Sequence, residues 1–386
     1  MKTRAALAYE TNQAWSLDKR LWEVEELEIS PLGPDDVLVR LTATGVCHTD
    51  LHIVTGELAP TSLPVIGGHE GAGVVEEVGS AVTHVEPGDH VILSIIASCG
   101  VCRFCRRGKT TLCVRSIDAL SGLHRDGSPR YRNAHGQSVG QWSLLGTFSE
   151  YVVANTSAVI KIAADIPLDL ASIVGCAVTT GLGAAIDKAG VRSGDTVAVW
   201  GCGGVGLSAV QGAVIAGASE VIAIDTNDFK LAKAKEFGAT HTLNPQRDRS
   251  PNPYRDETAE KVMEYTRWAG TDSTILTVDY VTPELIGAAF GTIGNGGTLV
   301  VVGVSHPRHG HINVSPLELA MSEKGIVGSV YGSGNPVLDL PRNLHFYTRA
   351  QLRLSEMISR TRPLEQVNEA FDDLLNGTVV KTLLTF

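Results

Sequence analysis

The sequence predicts an α/β protein in which a mostly β region precedes a doubly wound parallel sheet. Up to about residue 178, short stretches such as Val37–Leu41 partly alternate apolar with polar residues between turn signals, as half-buried strands do. From about Gly194 the apolar runs become nearly continuous and are separated by segments of helix length. Such runs indicate a parallel sheet that helices cover on both faces.

The individual elements follow these two patterns in chain order. In the first region the expected strands are Leu21–Leu27, Val37–Leu41 and Gly71–Gly79, followed by a turn and strand at Pro87–Val91. In the second region they are Thr196–Trp200, Val221–Ile224 and Thr298–Val302. Residues 246–255 are polar and contain proline, which predicts a surface loop.

Composition narrows the class of protein. The length of 386 residues suggests two domains, and the net charge of −10 argues against a nucleic-acid partner. The uncharged run Thr196–Ser219 is interrupted by Gln211 and several glycines, so strand, turn and buried helix are expected there instead of a membrane span. The amino terminus, MKTRAALAYE, has no apolar signal region. With reduced cysteines, this predicts a cytoplasmic protein.

One group of cysteines has the spacing C-x2-C-x2-C-x7-C. Its members are Cys99, Cys102, Cys105 and Cys113. In bacterial ferredoxins the fourth cysteine of such a run follows after three residues and precedes proline, whereas here seven residues intervene and valine comes next. The count of seven cysteines is odd, which disfavours disulfides. A closed structural zinc site is therefore predicted, with an iron–sulfur site or disulfides as the alternatives.

Three further residues suit a second metal. Cys47, His69 and Cys176 lie outside the cysteine cluster, and three protein ligands leave one position open, as catalytic zinc sites do. The alternative is that His69 is an ordinary loop histidine and Cys176 a small core residue.

A glycine-rich segment directly follows the first strand of the parallel sheet. It is Gly201-Cys202-Gly203-Gly204-Val205-Gly206, and Asp225 ends the next strand. Strand, glycines, helix and acid in this order predict a dinucleotide site, in which the helix amino terminus receives the pyrophosphate. Asp225 would accept hydrogen bonds from the ribose hydroxyls and repel a 2′-phosphate, which favours NAD over NADP. The alternative is a turn that only packs helix on strand.

Together these motifs resemble the zinc-dependent alcohol dehydrogenases of the medium-chain dehydrogenase/reductase superfamily, from Arg4 to Phe386. The resemblance implies a GroES-like, mostly β catalytic domain made of residues 1–178 and 331–386, with a Rossmann domain at 179–330 inserted between them. It also implies an active site in the cleft between the domains and a structural zinc lobe at 95–115.

The resemblance extends to individual metal-site residues. Cys47, His69 and Cys176 match the catalytic zinc ligands, Glu70 matches an acid near the metal, and Asp50 matches the carboxylate that orients the ligand histidine.

The same resemblance implies the chemistry. Zinc would acidify a bound alcohol, and hydride would pass to the nicotinamide. Thr49 and His52 match the hydroxyl and histidine that the family uses as a proton relay, in which the proton would pass from Thr49 through the cofactor ribose to His52. The alternatives are that Thr49 is a turn hydroxyl and His52 a surface histidine.

Cofactor contacts are implied in the same way. Thr180 matches a threonine that packs on the nicotinamide, and Lys230 matches a lysine near the adenosine ribose. The strand end whose backbone binds the carboxamide is matched by Val302, Gly303 and Val304.

Two positions depart from the family at the cofactor phosphates. His48 and Lys381 stand where relatives have arginine, and neither reproduces a bidentate guanidinium.

Aliphatic residues match the positions that line the family's alcohol channel. They are Leu58, Ile95, Leu144, Leu145, Val304 and Val330. Such a pocket suits primary alcohols and their aldehydes, although each residue could equally belong to the core. Homologues are dimers or tetramers, and the expected contact is the Rossmann sheet edge near Thr298–Val304.

Three segments resemble the nicotinoprotein alcohol dehydrogenases in particular. They are 131–137, 140–151 and 328–336. That group holds NAD tightly and regenerates it with an external acceptor, which is nitrosodimethylaniline in assays and mycofactocin in cells.

Three alternatives remain open. They are an alcohol dehydrogenase with dissociable NAD, a glutathione-dependent formaldehyde dehydrogenase, and a catalytically silent NAD-binding protein on the same fold. The glutathione class has an arginine where this chain has Ile117, with Arg115 close by.

Overall fold

The computed structural model describes residues 1–11, 20–58, 62–247, 257–305 and 309–386. The chain forms two compact units. The first contains Met1–Cys176, Asn335–Thr348 and Leu354–Phe386, and the second contains Ala177–Gly334 and Arg349–Arg353. Most of the surface loop expected at 246–255 lies outside the described residues.

The strands and α-helices have the following bounds in chain order. The strands are β1 (Lys2–Ala8), β2 (Glu23–Ile29), β3 (Asp36–Gly45), β4 (Val65–Ile66), β5 (Glu70–Val78), β6 (His90–Leu93), β7 (Tyr131–Arg132), β8 (Ser138–Gln141), β9 (Tyr151–Asn155), β10 (Val159–Lys161), β11 (Thr196–Trp200), β12 (Glu220–Ile224), β13 (His241–Leu243), β14 (Thr271–Leu276), β15 (Ile293–Val301), β16 (Gly325–Gly328), β17 (Ile358–Pro363) and β18 (Lys381–Thr385). The helices are α1 (His48–Val54), α2 (Leu168–Ile173), α3 (Thr179–Gly183), α4 (Gly204–Ala216), α5 (Asp228–Glu236), α6 (Glu257–Tyr265), α7 (Pro283–Gly291), α8 (Pro316–Met321), α9 (Pro336–Thr348) and α10 (Val367–Leu375).

The first unit contains two sheets. Strands β1, β2, β7, β8 and β4 close into a small barrel, and the second sheet has the order β10-β6-β5-β3-β18-β17 with β9 also paired to β3. Trp22, Phe148 and Phe371 pack ring against ring in the core of this unit, with centroids 5.4 to 6.1 Å apart. Because β18 pairs with β3, the carboxy-terminal strand belongs to the same sheet as the first half of the unit.

The second unit contains a six-stranded parallel sheet of order β13-β12-β11-β14-β15-β16. Nearly every residue of β11 and β12 is buried. Since consecutive strand residues point to opposite faces, both faces of the sheet are covered. The predicted α/β class is confirmed.

One expectation about this sheet was wrong. Residues near Thr298–Val304 were expected at its edge, but β15 lies between β14 and β16, and Gly325–Gly328 is the edge strand. Because residues 325–328 contain no strong apolar run, the sequence does not predict this edge strand.

One helical run in the described part of the chain, Leu168–Ala189, is long and apolar enough to cross a membrane. Its most apolar window is 89% buried inside the protein, as expected of a core helix. The run Thr196–Ser219, which the sequence singled out, forms β11, a glycine turn and α4 as predicted.

Candidate active site and cofactor site

The three predicted ligands of the catalytic metal lie together in the first unit. The ligand atoms of Cys47, His69, Glu70 and Cys176 are all within 4.8 Å of one another. Each comes from the end of an element: Cys47 precedes α1, His69 and Glu70 stand where β5 begins, and Cys176 lies in a π-helical turn that follows α2. Insertions of this kind into a helix are frequent at functional sites.

Asp50 fixes the orientation of two of these ligands. Its Oδ1 lies 2.9 Å from Nδ1 of His69 and accepts the Gly68 amide at 3.1 Å. Its Oδ2 accepts the Cys47 amide at 3.3 Å, which caps α1. A carboxylate on Nδ1 fixes the imidazole tautomer and leaves Nε2 available for a metal.

Glu70 and Lys381 form a fully buried ion pair beside the metal ligands. Lys381 Nζ lies 2.6 Å from Glu70 Oε2 and donates to the Val46 carbonyl at 2.9 Å. Gly45 leaves the space for this pair, because a Cβ there would stand 2.0 Å from Glu70 Oε2. Neither carboxylate oxygen has a hydrogen-bond partner among the described residues, although Oε2 is paired with the Lys381 ammonium.

The buried charges shift the pKa values of the cluster. A hydrogen bond from Cys176 holds the pKa of the Cys47 thiol well below its usual value, and His69 acts in the same direction. Burial alone would lower the pKa of His69, but the Asp50 carboxylate raises it. Burial raises the pKa of Glu70 to about 7, although the Lys381 ammonium opposes that shift.

This donor set fits zinc. Two sulfurs and one imidazole nitrogen are ligands that zinc prefers, and three protein ligands are typical of catalytic sites. The Cys47 thiolate, which is the form that binds metals, is already favoured. Glu70 adds a carboxylate oxygen to this cluster, and neither of its oxygens accepts a hydrogen bond from the described residues.

The two relay candidates follow on α1. The hydroxyl oxygen of Thr49 is 3.6 Å from Cys47 Sγ. His52, one turn later, is only 4% exposed, so it is no surface histidine. Its Nδ1 contacts the Glu57 carboxylate, a residue that the sequence analysis did not single out. The sequence feature that could have identified Glu57 is its position five residues after His52 and directly after Gly56.

The four clustered cysteines also come together. Their sulfurs are within 4.8 Å of one another, with Cys102 and Cys105 at 3.5 Å and Cys99 and Cys105 at 4.0 Å. Four thiolates at about 2.3 Å from a tetrahedral zinc would stand about 3.8 Å apart. The geometry therefore fits a closed zinc site.

Backbone amides surround these sulfurs. Cys113 Sγ accepts the amides of Cys99 and Arg115 at 3.3 and 3.4 Å. The amides of Cys105 and Val114 lower the pKa of Cys102 to about 6. All seven cysteines are described and none forms a disulfide.

The glycine-rich segment of the second unit forms the predicted strand–turn–helix. Gly201 has a φ of +89° and its Cβ would meet Val278 N at 2.8 Å. A Cβ on Gly206 would stand 1.7 Å from the Gly201 carbonyl. A Cβ on Gly203, at the start of α4, would meet no atom of the described residues within 4 Å. Gly204 and Val205 are the first residues of that helix.

Asp225 faces this loop. Its Oδ2 accepts the Cys202 amide at 2.7 Å, and its Oδ1 accepts the Asn227 amide at 2.8 Å. The carboxylate is half-buried beside the glycine-rich segment, and its contact with an adenosine ribose stays a prediction.

The remaining cofactor candidates divide between the two units. Thr180 is 9% exposed on α3, which packs on α4 because Gly181 leaves room for the Val205 carbonyl. Lys230 is half-buried on α5.

Val302 and Gly303 follow β15, and both of their amides donate to the Leu276 carbonyl. Val304, directly after them, accepts the Val281 amide at 2.8 Å. In the first unit, His48 is half-buried as the first residue of α1. Lys381 is only 3% exposed, and its ammonium is engaged by Glu70 and Val46. The cofactor roles of these residues stay predictions.

The aliphatic channel candidates have mixed surroundings. Leu145 is fully buried in the core of the first unit, whereas Val330 is 55% exposed. Leu58 and Ile95 pack partly buried against core clusters, Leu144 is 4% exposed, and Val304 is half-buried.

Comparison with known proteins identifies the family of the chain. Residues 33–164 match the alcohol dehydrogenase GroES-like domain, and residues 204–348 match the zinc-binding dehydrogenase domain. The chain is 40% identical to the NDMA-dependent alcohol dehydrogenase of Amycolatopsis methanolica, over 100% of this chain and 99% of that protein. It is 38% identical to the S-(hydroxymethyl)glutathione dehydrogenase of Saccharomyces cerevisiae, over 100% of this chain and 96% of that protein.

A solved structure of an alcohol dehydrogenase has a similar fold. Benzyl alcohol dehydrogenase from Acinetobacter calcoaceticus superposes with a TM-score of 0.89 at 28% identity, over 100% of this chain and 99% of that one. The two domain matches and the full-length similarity support zinc and a nicotinamide dinucleotide as the cofactors. The chain therefore belongs to the zinc-dependent alcohol dehydrogenases of the medium-chain dehydrogenase/reductase superfamily and is an oxidoreductase that acts on alcohols.

Proposed function

We propose that this enzyme interconverts primary alcohols and aldehydes with an NAD that stays bound and is regenerated in place by an external acceptor such as mycofactocin. The observation that carries the proposal is the full-length similarity to an NDMA-dependent alcohol dehydrogenase at 40% identity. The segments at 131–137, 140–151 and 328–336 add to it.

The first unit supplies the alcohol site. Cys47, His69 and Cys176 would hold the catalytic zinc, whose Lewis acidity lowers the pKa of an alcohol hydroxyl. Asp50 keeps His69 in the tautomer that can bind the metal. The Glu70–Lys381 pair keeps a carboxylate beside the ligands without an uncompensated buried charge.

The hydroxyl proton needs a path out of this buried site. Thr49 is a suitable first acceptor because its hydroxyl oxygen is 3.6 Å from the ligand sulfur of Cys47. His52 is a suitable second acceptor because it lies three residues later on the same helix face. A proton relay of this kind contributes on the order of 10²- to 10⁴-fold to the rate.

The second unit supplies the dinucleotide site. The helix that begins at Gly204 would receive the pyrophosphate, and the Asp225 carboxylate would bind the ribose hydroxyls. A 2′-phosphate would meet that carboxylate as a like charge. We therefore assign NAD as the cofactor in preference to NADP.

Assembly and location complete the proposal. The edge strand Gly325–Gly328 has a partner strand on one side only among the described residues, and Leu317 and Met321 on α8, which precedes it in the chain, are 72% and 77% exposed. We infer a homo-oligomer that uses this edge. The free cysteines favour a reducing compartment such as the cytoplasm.

The similarity to S-(hydroxymethyl)glutathione dehydrogenase supports a second candidate, an enzyme with glutathione-linked substrates and dissociable NAD. Denaturing the purified protein and assaying the supernatant for nucleotides separates the two. About one NAD or NADH per chain is the expected result. A supernatant without nucleotide would contradict the proposal, and activity with free NAD that depends on glutathione would favour the second candidate. Release of NADP would contradict the role of Asp225.

A further inference from the structure

The imidazole of His52 is buried, but its partner reaches the surface. The His52 side chain is 5% exposed and that of Glu57 is 35% exposed, and Nδ1 of the imidazole contacts Oε2 of the carboxylate. A proton that arrived at His52 would therefore need a second group to reach water, and Glu57 is in contact with it.

The local chain geometry holds Glu57 in this position. Helix α1 ends at Val54, and Gly56 follows with a φ of +81°, a conformation that reverses the chain direction and favours glycine. The Leu58 amide donates to the His52 carbonyl at 3.0 Å. Glu57 is thereby folded back onto the end of the helix that carries His52.

A second donor orients the carboxylate. The Thr55 hydroxyl donates to Glu57 Oε2 at 2.9 Å, the same oxygen that faces Nδ1. Two partners on one oxygen fix the carboxylate rotamer, which a single exposed contact would not do. The other oxygen of the carboxylate is not involved in either contact.

Imidazole can accept a proton at one nitrogen while it releases one from the other. Since Nδ1 contacts Glu57, a proton that arrives from the Thr49 side would enter the ring at Nε2. We propose that Glu57 is the outer positioning residue of the proton relay: it holds His52 with Nδ1 directed outward and transfers the alcohol-derived proton between Nδ1 and solvent. The inference rests on the relay of Thr49 and His52 proposed above.

The proton and electron balance is simple. Oxidation of an alcohol removes a hydride, which carries two electrons to the nicotinamide, and one hydroxyl proton. That proton passes to Thr49, to His52, to Glu57 and then to water. Aldehyde reduction runs the same transfers in reverse. No further oxidant or reductant takes part in the relay.

A double-mutant cycle tests the proposal in the full-length holoenzyme saturated with NAD. The rate constant of a single hydride transfer is followed by nicotinamide absorbance after mixing with a primary alcohol, so that product release does not mask the step. The variants are Glu57→Gln, Glu57→Asp, His52→Gln and the double variant His52→Gln/Glu57→Gln. Glu76→Gln, an exposed partner of Arg40 in the same unit, is the matched control.

We expect Glu57→Gln to lower the rate constant at least tenfold without changing the alcohol KM, and Glu57→Asp to restore part of it. In the His52→Gln background, the added Glu57→Gln substitution should not lower the rate constant of hydride transfer further, because Glu57 acts through His52. A merely structural Glu57 would lower the rate in both backgrounds and reduce the melting temperature or zinc content.

Two outcomes separate the claims. If His52→Gln lowers the rate and Glu57→Gln does not, or if the two losses multiply, the role of Glu57 is wrong and the relay stands. If His52→Gln leaves the rate unchanged, the proposed relay is itself wrong and the inference falls with it.

Discussion

Around the catalytic ligands, single side chains act by fixing the direction of their neighbours. Asp50 accepts three hydrogen bonds from His69, Gly68 and Cys47 while it is fully buried. Glu70 differs, since neither of its oxygens accepts a hydrogen bond in the described part of the chain. The first carboxylate therefore orients a ligand, and the second remains available to a metal.

Asp50 gives the residue-scale prediction. In Asp50→Asn, the amide nitrogen would face either the His69 Nδ1–H or the Cys47 amide, so one of these donors loses its acceptor. We expect the catalytic zinc affinity or the alcohol turnover to fall about 10- to 100-fold, the usual cost of losing a partner of a metal ligand. Zinc per chain after dialysis and steady-state turnover measure the two effects.

Asp165→Asn is the control for this substitution because Asp165 is exposed. Retention of two zincs with normal turnover in Asp50→Asn would show that the tautomer of His69 does not depend on this carboxylate.

At the scale of elements, the segment that carries the four cysteines depends on its metal. Between Ile95 and Arg115 its regular structure in the described chain is limited to two three-residue 3-10 helices, and its ligand sulfurs lie close together. Without a metal, several thiolates at such distances repel one another, and the segment has few regular backbone hydrogen bonds to replace that anchor.

We therefore expect Cys102→Ser to lose one of two zincs and to lower the melting temperature, because structural zinc binding contributes folding free energy. Metal analysis and thermal unfolding are the measurements. Cys202→Ala is the matched control, since Cys202 lies outside both clusters. A Cys102→Ser protein with two zincs and normal stability would contradict the structural role.

A buried polar network ties the segment after the cysteines to β3. Arg130 contacts both oxygens of Asp36, at 2.5 and 3.2 Å, and Nδ1 of His124 lies 3.2 Å from Oδ1. Burial alone would raise the pKa of Asp36, but the hydrogen bonds from His124, Arg130 and the Gly33 amide lower it to about 2.

This network predicts a pH dependence of stability. In the unfolded chain Asp36 titrates near 3.8, so its ionised form stabilises the fold above that pH, and the contribution is lost as the pH falls through about 2. The total contribution of the ionised Asp36 to the free energy of unfolding is about 2 kcal/mol. Consequently, the difference in unfolding free energy between wild type and Asp36→Asn should shrink between pH 5 and pH 2, as measured by urea denaturation. Asp165→Asn should show no such trend, and a constant difference for Asp36→Asn would contradict the assigned pKa.

At the scale of the whole molecule, the sequence predicted what depends on local patterns. Zinc ligands are recognisable because few residue types bind zinc and their spacing is constrained, and β11 with its glycine turn carries an equally local pattern. The Glu70–Lys381 pair depends instead on strand order. Gly45 of β3 pairs with Glu70 on one side and with Leu383 of β18 on the other, and no local pattern shows that these distant segments are neighbours.

The same limit applies to the edge of the parallel sheet, where β16 pairs with β15 by its Ile326 and Val327. Its outer backbone groups have no partner strand in the described chain, and edges of this kind are available for pairing with another copy. Leu317 and Met321 stand exposed on α8 between β15 and β16 in the sequence.

We therefore expect the double substitution Leu317→Asp/Met321→Asp to reduce the molar mass in solution from that of an oligomer to that of one chain, because the charges would have to be desolvated in a contact between copies. Size-exclusion chromatography with light scattering over a range of protein concentrations measures this mass. Val337→Asp, at an exposed apolar position of the other unit, is the control and should leave the mass unchanged. A monomeric wild type, or a double variant of unchanged mass, would show that this sheet edge is not the contact between copies.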